Sequence, residues 1–114
     1  MTPELRRVEF LGRSRRDLRS FPTLAREQAG RQILLLQQGL EPMDWKPMKS
    51  IGAGASEIRV REESGAYRVI YIAKFKEAVY VLHCFEKRSQ KTSRADLELA
   101  TARYREVLAR RPRL

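Results

Sequence analysis

The chain has 114 residues, of which 42% are apolar, enough for one domain over 1–114 with its own core and too many for a globally disordered segment. Its 24 Lys and Arg outnumber 14 Asp and Glu, and the net charge of +10 points to nucleic acid, an anionic membrane or an acidic protein as partner. One cysteine, Cys84, excludes an intramolecular disulfide and suits a reducing cytoplasm, and with one histidine, His83, it cannot complete a four-ligand zinc site.

Met1 leads into Thr2, Pro3, Glu4 and two arginines with no apolar stretch behind them, so no secretory signal is expected. The apolar run Ile33–Leu36 is far too short to span a bilayer, and no membrane partner is expected. Val8–Leu11 is short and apolar and predicts a first strand, and the basic segment Arg13–Arg19 predicts a short surface helix. Ser20 and Pro22 resemble a helix start. From Thr23 to Gln38 the residues Leu24, Ala25, Ala29, Ile33 and Leu36 approximate a helical face, ended by Gly39. The pair forms an αα-hairpin. Gly30 inside the second helix costs about 1 kcal/mol relative to Ala.

Leu40–Gly54 reads as a loop, broken by Pro42, Pro47, Gly52 and Gly54 and pinned to the core by Trp45, Met48 and Ile51. Glu57–Arg61 alternates, with Ile58 and Val60 inward and Glu57, Arg59 and Arg61 outward, which predicts a half-exposed strand. Ser64-Gly65 turns the chain into a second strand, Ala66–Ala73, and Lys74–Glu77 turns it again into Ala78–Phe85. That last strand is apolar on both faces, as a central strand covered twice should be. Ser93 and Asp96 match a capping box. Leu97, Ala100, Tyr104, Val107 and Leu108 then form one stripe of a C-terminal helix, followed by a basic tail of Arg110, Arg111 and Arg113. The order predicts an α+β domain: an N-terminal strand, a helical hairpin, an antiparallel sheet and a C-terminal helix.

The chemistry concentrates in the second half. Arg68 stands among Val69, Ile70, Tyr71 and Ile72, where an unpaired guanidinium is costly to bury, so the fold should aim it at a cleft or a partner. Lys87, Arg88 and Lys91 follow the last strand, and Arg59 lies on the strand beside Arg68. Cations converging with few carboxylates among them suit a phosphodiester better than a metal. Arg59 and Arg61 also fit the wet face of a strand. Tyr67, Tyr71, Tyr80 and Phe85 fit either core packing or stacking on bases, and Phe85, at the mouth of the loop, is the best placed to stack. His83 and Cys84 read as packed core groups.

YRVIYIAKF, then VLHCFEKRSQKT, then an ELA-containing helix ending in YREV, resemble the phage-derived HigB-like toxins of the RelE/ParE superfamily, as does the upstream MKSIGAGASEIRV. The likeness covers about Val8 to Leu108. It implies a RelE-like fold and a toxin of a type II toxin–antitoxin pair, with a helix-turn-helix antitoxin as partner. Many relatives are ribosome-dependent endoribonucleases that cleave mRNA. By that resemblance Arg68 matches the arginine of the family's YR-x-x-Y strand, which faces the scissile phosphate. Lys87 and Lys91 match basic positions of its F-x-K-K-x-x-K-T loop, where Arg88 replaces the second lysine. Both lines of reading together give a site with Arg68, Lys87 and Lys91 as catalytic residues and Arg59, Arg61, Tyr71, Phe85 and Arg88 binding RNA. Attack of a ribose 2′-OH on the adjacent phosphate would use Arg68, helped by Arg59, to stabilise charge, and Lys91 or Lys87 as base. Tyr71 and His83 are further acid–base candidates, and no metal or other cofactor is expected. Two other readings stay open: a ParE-like gyrase inhibitor without nuclease activity, and a non-catalytic nucleic-acid-binding prophage protein.

Overall fold

Residues rich in β-branched and aromatic side chains from 55 to 87 pair into the centre of a five-stranded sheet, seen in a computed structural model that describes residues 4–111. The elements are β1 (Arg7–Phe10), α1 (Ser14–Arg19), α2 (Thr23–Gln37), β2 (Trp45–Pro47), β3 (Ala55–Glu62), β4 (Gly65–Ile72), β5 (Ala78–Lys87) and α3 (Arg94–Arg110). The strand order is β1-β5-β4-β3-β2. The α+β reading, the helical hairpin, the three-strand meander and the closing helix are all present.

Hydrophobic alternation on the strands feeds two cores. Ile58, Val60, Tyr67, Val69, Tyr71, Val79 and Val81 face α1 and α2, meeting Leu18, Phe21, Ala25, Ala29, Ile33 and Leu36. Ile70, Ile72, Ala78, Tyr80, Leu82 and Phe85 turn the other way, toward Ala100, Tyr104 and Val107 of α3 and Met48 and Ile51 of the preceding loop. β5 is thus covered on both faces, as its composition predicts. Its register slips opposite Ile70 and Tyr71, which pair with His83 and Val81 and leave Leu82 as an extra residue. The bulge turns both Leu82 and His83 toward α3.

Four details depart from the expectations. The sheet is antiparallel across four strands, but β1 lies parallel to β5. No short turn links these two strands, so nothing in the connection dictates an antiparallel pair. Trp45–Pro47, expected as loop, is an edge strand on β3, where proline's missing N–H goes unneeded. β5 continues through Lys87, so that residue is held by the ladder opposite Ala66 and does not ride on the loop. Leu24 and Leu108, expected in helix stripes, are exposed at 59% and 43%.

The punctuation is local. Gly39 ends α2 with φ near +80°, a conformation that favours glycine. Ser93 caps α3 by accepting from the Asp96 amide at 3.1 Å and returns its hydroxyl proton to the Asp96 carboxylate at 2.6 Å. Gly52 packs directly under the Tyr104 ring, where a Cβ would collide with ring carbons, and the Tyr104 hydroxyl donates to the Ala53 carbonyl at 2.8 Å.

The expected basic tail is instead an anchor as far as it is described. Arg110 pairs with Glu9 at 3.0 Å. Arg111 donates twice to Glu77, at 2.6 and 3.2 Å, with its guanidinium 3.4 Å above the Phe75 ring. Arg113 lies outside the described residues. Hydrogen bonds from Arg111 pull the Glu77 carboxyl from the ordinary 4.5 down to about 2. A depressed folded pKa adds stability above the unfolded value and loses it as pH falls through the folded one. Arg111→Ala is therefore expected to lower the melting temperature by a few degrees above pH 4.5, with the gap closing toward pH 2. Thermal unfolding of both proteins across that range checks it, and a gap independent of pH would refute the pairing.

Candidate nucleic-acid interface

The two-residue turn after β3 fixes which side chains meet on the sheet. Starting from Glu62 opposite Gly65, the ladder places Arg61 beside Ala66 and Arg59 beside Arg68. On the other side of β4, Ala66 faces Lys87 and Arg68 faces Phe85. Arg68 alternates with Ile70 and Ile72, so it shares the sheet face that α3 covers farther along. Beyond the reach of that core, the small Ala66 between Arg61 and Lys87 leaves a depression. A groove of about 540 Å³ opens there, lined by Arg61, Ala66, Arg68, Lys87 and the 88–90 loop.

Arg68 is only 3% exposed. Its Nη1 donates to the Tyr67 carbonyl at 3.0 Å, and its Nε lies 3.6 Å from the Glu57 carboxylate. Burial lowers the Arg68 pKa, Glu57 opposes that shift, and Arg59 and Arg61 add to it. Lys87, half-buried on the groove wall, is also pulled down, chiefly by burial and then by Arg68. A cluster of like charges is thus held at the floor and wall of one cleft, and an anion seated there would relieve their repulsion.

Glu57 corrects the reading of β3. It was expected to point outward with Arg59 and Arg61, into a region with few carboxylates. It does share their face, but it is wholly buried at the centre of the cations. Its Oε1 lies 3.6 Å from Nε of Arg59, 3.6 Å from Nε of Arg68 and 3.7 Å from Nζ of Lys46. Sequence reasoning missed both Glu57 and Lys46. The signal was present, since a hairpin anchored at Ser64-Gly65 sets Glu57 diagonal to Arg68, within reach of long side chains.

The other candidate residues divide into groups. Arg61 and Arg88 line the groove's exposed rim, and Arg88 also pairs with Glu86 at 3.3 Å. Lys91 does not line this groove. It lies on a neighbouring cleft of about 250 Å³ with Phe85, Ser93 and Asp96, across the loop. Phe85 is nearly buried and stacks on His83, ring centroids 4.8 Å apart, so one ring face is already occupied. His83 is buried, and its Nε2 meets Asp96 Oδ1 at 2.6 Å, tying β5 to the first turn of α3. Tyr71 is separated from the group altogether. Three residues after Arg68, it emerges on the opposite face, packed under α2 in a cleft with Trp45 and Leu36. Burial raises its phenol to about 12. The Cys84 thiol is buried on that same face and pushed up by desolvation, as a core thiol should be. Among the described residues, no three His, Cys, Asp or Glu side chains gather as a metal-holding group, and no helix is long and apolar enough to cross a membrane.

Comparisons with known proteins bear on the family and the fold. No curated protein sequence matches the chain significantly. Among solved structures, an arginine-to-alanine double mutant of the E. coli toxin RelE in the free state superposes with a TM-score of 0.62. That match spans 90% of this chain and 98% of RelE at 16% identity, a likeness of fold. The profile of the family described as "Phage derived protein Gp49-like (DUF891)" matches residues 16–105, which include every strand and cation of the groove. The chain therefore belongs to the phage-derived Gp49-like family and has a RelE-type fold.

Proposed function

We propose that this chain is the toxin of a type II toxin–antitoxin pair, HigB-like in character, and cleaves mRNA on the ribosome as a metal-independent endoribonuclease in the cytoplasm. The observation that carries the reading is Arg68: a buried guanidinium fixed at the floor of a groove whose wall and rim are Lys87, Arg61 and Arg88. Such an arrangement suits a phosphodiester that gains negative charge in its transition state. The 2′-OH adds to the adjacent phosphorus as a base removes its proton, and the bond to the 5′-oxygen breaks as that oxygen takes up a proton. Arg68, assisted by Arg59, stabilises the phosphorane charge. Lys87 serves as base, because burial and Arg68 favour its neutral amine at lower pH than an ordinary lysine. Lys91, Arg61 and Arg88 hold the flanking backbone from the rim and from the neighbouring cleft. The groove is open and shallow, so the ribosome supplies the alignment that a deep pocket would otherwise provide. The chain's net charge of +10 suits a small antitoxin with an acidic covering segment.

Purified protein added to translating ribosomes, chelated to the level the ribosomes tolerate, is expected to cut mRNA and leave a 5′-hydroxyl on the downstream fragment. A 5′-phosphate would exclude 2′-OH attack, and gyrase-dependent DNA breaks without mRNA cleavage would establish the gyrase-inhibitor reading instead. In cells, expression should arrest growth, and co-expression of the neighbouring antitoxin gene should restore it. Unimpaired growth with confirmed expression would remove the toxin reading.

A further inference from the structure

We infer that Glu57 is the positioning residue of the groove: its buried carboxylate sets the aim of the Arg59 and Arg68 guanidiniums and so decides turnover, not RNA affinity. The inference rests on the ribonuclease reading above and assigns a role within that site.

Arg59 and Arg68 occupy directly opposed positions on β3 and β4. Like charges in that relation repel, and two unrestrained guanidiniums would splay apart. One oxygen, Oε1 of Glu57, lies 3.6 Å from the Nε of each and 3.7 Å from Lys46. The carboxylate thus approaches both guanidiniums from the side of the chain. The separations exceed direct hydrogen-bond length, so Glu57 restrains both arginines together by charge, without a hydrogen bond to either. Because it is wholly buried, it does not touch a ligand in the groove. Three cations against one carboxylate leave a net of two positive charges, so the counter-charge organises the cluster without quenching its pull on an anion.

These facts predict opposite effects on binding and on turnover. Glu57→Gln keeps the buried shape and removes one negative charge. Binding to a single-stranded oligoribonucleotide should become as tight or tighter, and the salt dependence of log K should steepen by about 0.7, the value for one added counterion-releasing charge on a single strand. Cleavage on the ribosome should slow by about 10- to 100-fold, the scale of loss when a stabilising group is misplaced by about an ångström. A merely structural role would lower both together, in step with the folded fraction read by circular dichroism.

The decisive experiment measures both quantities on the full chain, wild type against Glu57→Gln, with single-turnover rates taken across pH. A folded variant that cleaves at the wild-type rate overturns the inference. So does one that loses RNA binding along with cleavage, or one that loses only the low-pH limb of the rate profile, which would make Glu57 the base. Should Glu57→Gln fail to fold, Glu57→Asp decides: the charge remains but withdraws by one methylene, so the salt slope should hold while the rate falls, and an unchanged rate overturns the inference. A wild-type chain that cleaves no mRNA instead defeats the ribonuclease reading itself.

Discussion

Arg68→Ala is expected to slow single-turnover mRNA cleavage by about 100- to 1000-fold, or about 3–4 kcal/mol of transition-state stabilisation, as for the loss of one oxyanion donor. Growth inhibition should disappear with it, while circular dichroism and antitoxin binding stay close to wild type. The large effect follows from the placement of the guanidinium. It is buried, anchored to the Tyr67 carbonyl and already desolvated, so its interaction with a developing charge is weakly screened. Arg68→Lys should recover little, because an ammonium cannot offer two parallel N–H donors to phosphate oxygens. Lys74→Ala, at an exposed position beyond β4, should change the rate by less than about tenfold, within the range of a surface charge. A folded Arg68→Ala that cleaves like wild type would end the assignment of the groove as the reaction site.

Lys87 carries the second large effect. Removing a general base typically costs about 100- to 10,000-fold, and Lys87→Ala should fall in that range. The pH dependence separates base catalysis from simple charge. With its pKa lowered by burial and by Arg68, Lys87 becomes neutral at lower pH than an ordinary lysine, so the wild-type rate should climb with pH and level off early. In Lys87→Ala that climb should flatten. Lys87→Arg is the sharper test, since it keeps the positive charge but cannot give up a proton at any working pH. A Lys87→Arg protein with the wild-type rate would show that the residue acts as a charge only. Lys91→Ala should cost less than about tenfold, the scale of a single exposed charge, because Lys91 lines the neighbouring cleft across the loop.

The site was partly legible from the residues. Arg68 could be singled out because a guanidinium in an apolar strand has few tolerable surroundings. The turn at Ser64-Gly65 made Arg59 its neighbour, and the structure pairs the two directly. Tyr71 was misleading for a related reason: in a strand, three residues reverse the face, and the helices over that face draw Tyr71 into the opposite core. In sequence Lys87 and Lys91 form one loop cluster, but β5 runs two residues past Phe85 and fixes Lys87 to the groove wall. Phe85, the best stacking candidate at the mouth of the loop, has one ring face covered by His83, which the bulge in β5 brings beside it.

By itself the sequence determined what is written within a few residues. The α+β order, the hairpin turn, the Ser93 cap, the twice-covered β5 and the singling out of Arg68 all follow from local period, turn chemistry and charge, and the family likeness from short motifs. Tertiary structure alone decided which charges meet. It set β1 parallel to β5, drew Arg111 onto Glu77 and closed the sheet over Glu57 beneath three cations. Period tells which residues share a face, but not whether that face meets water, a helix or other charges. A buried carboxylate is tolerable only where cations from other strands surround it, and those neighbours are supplied by the fold.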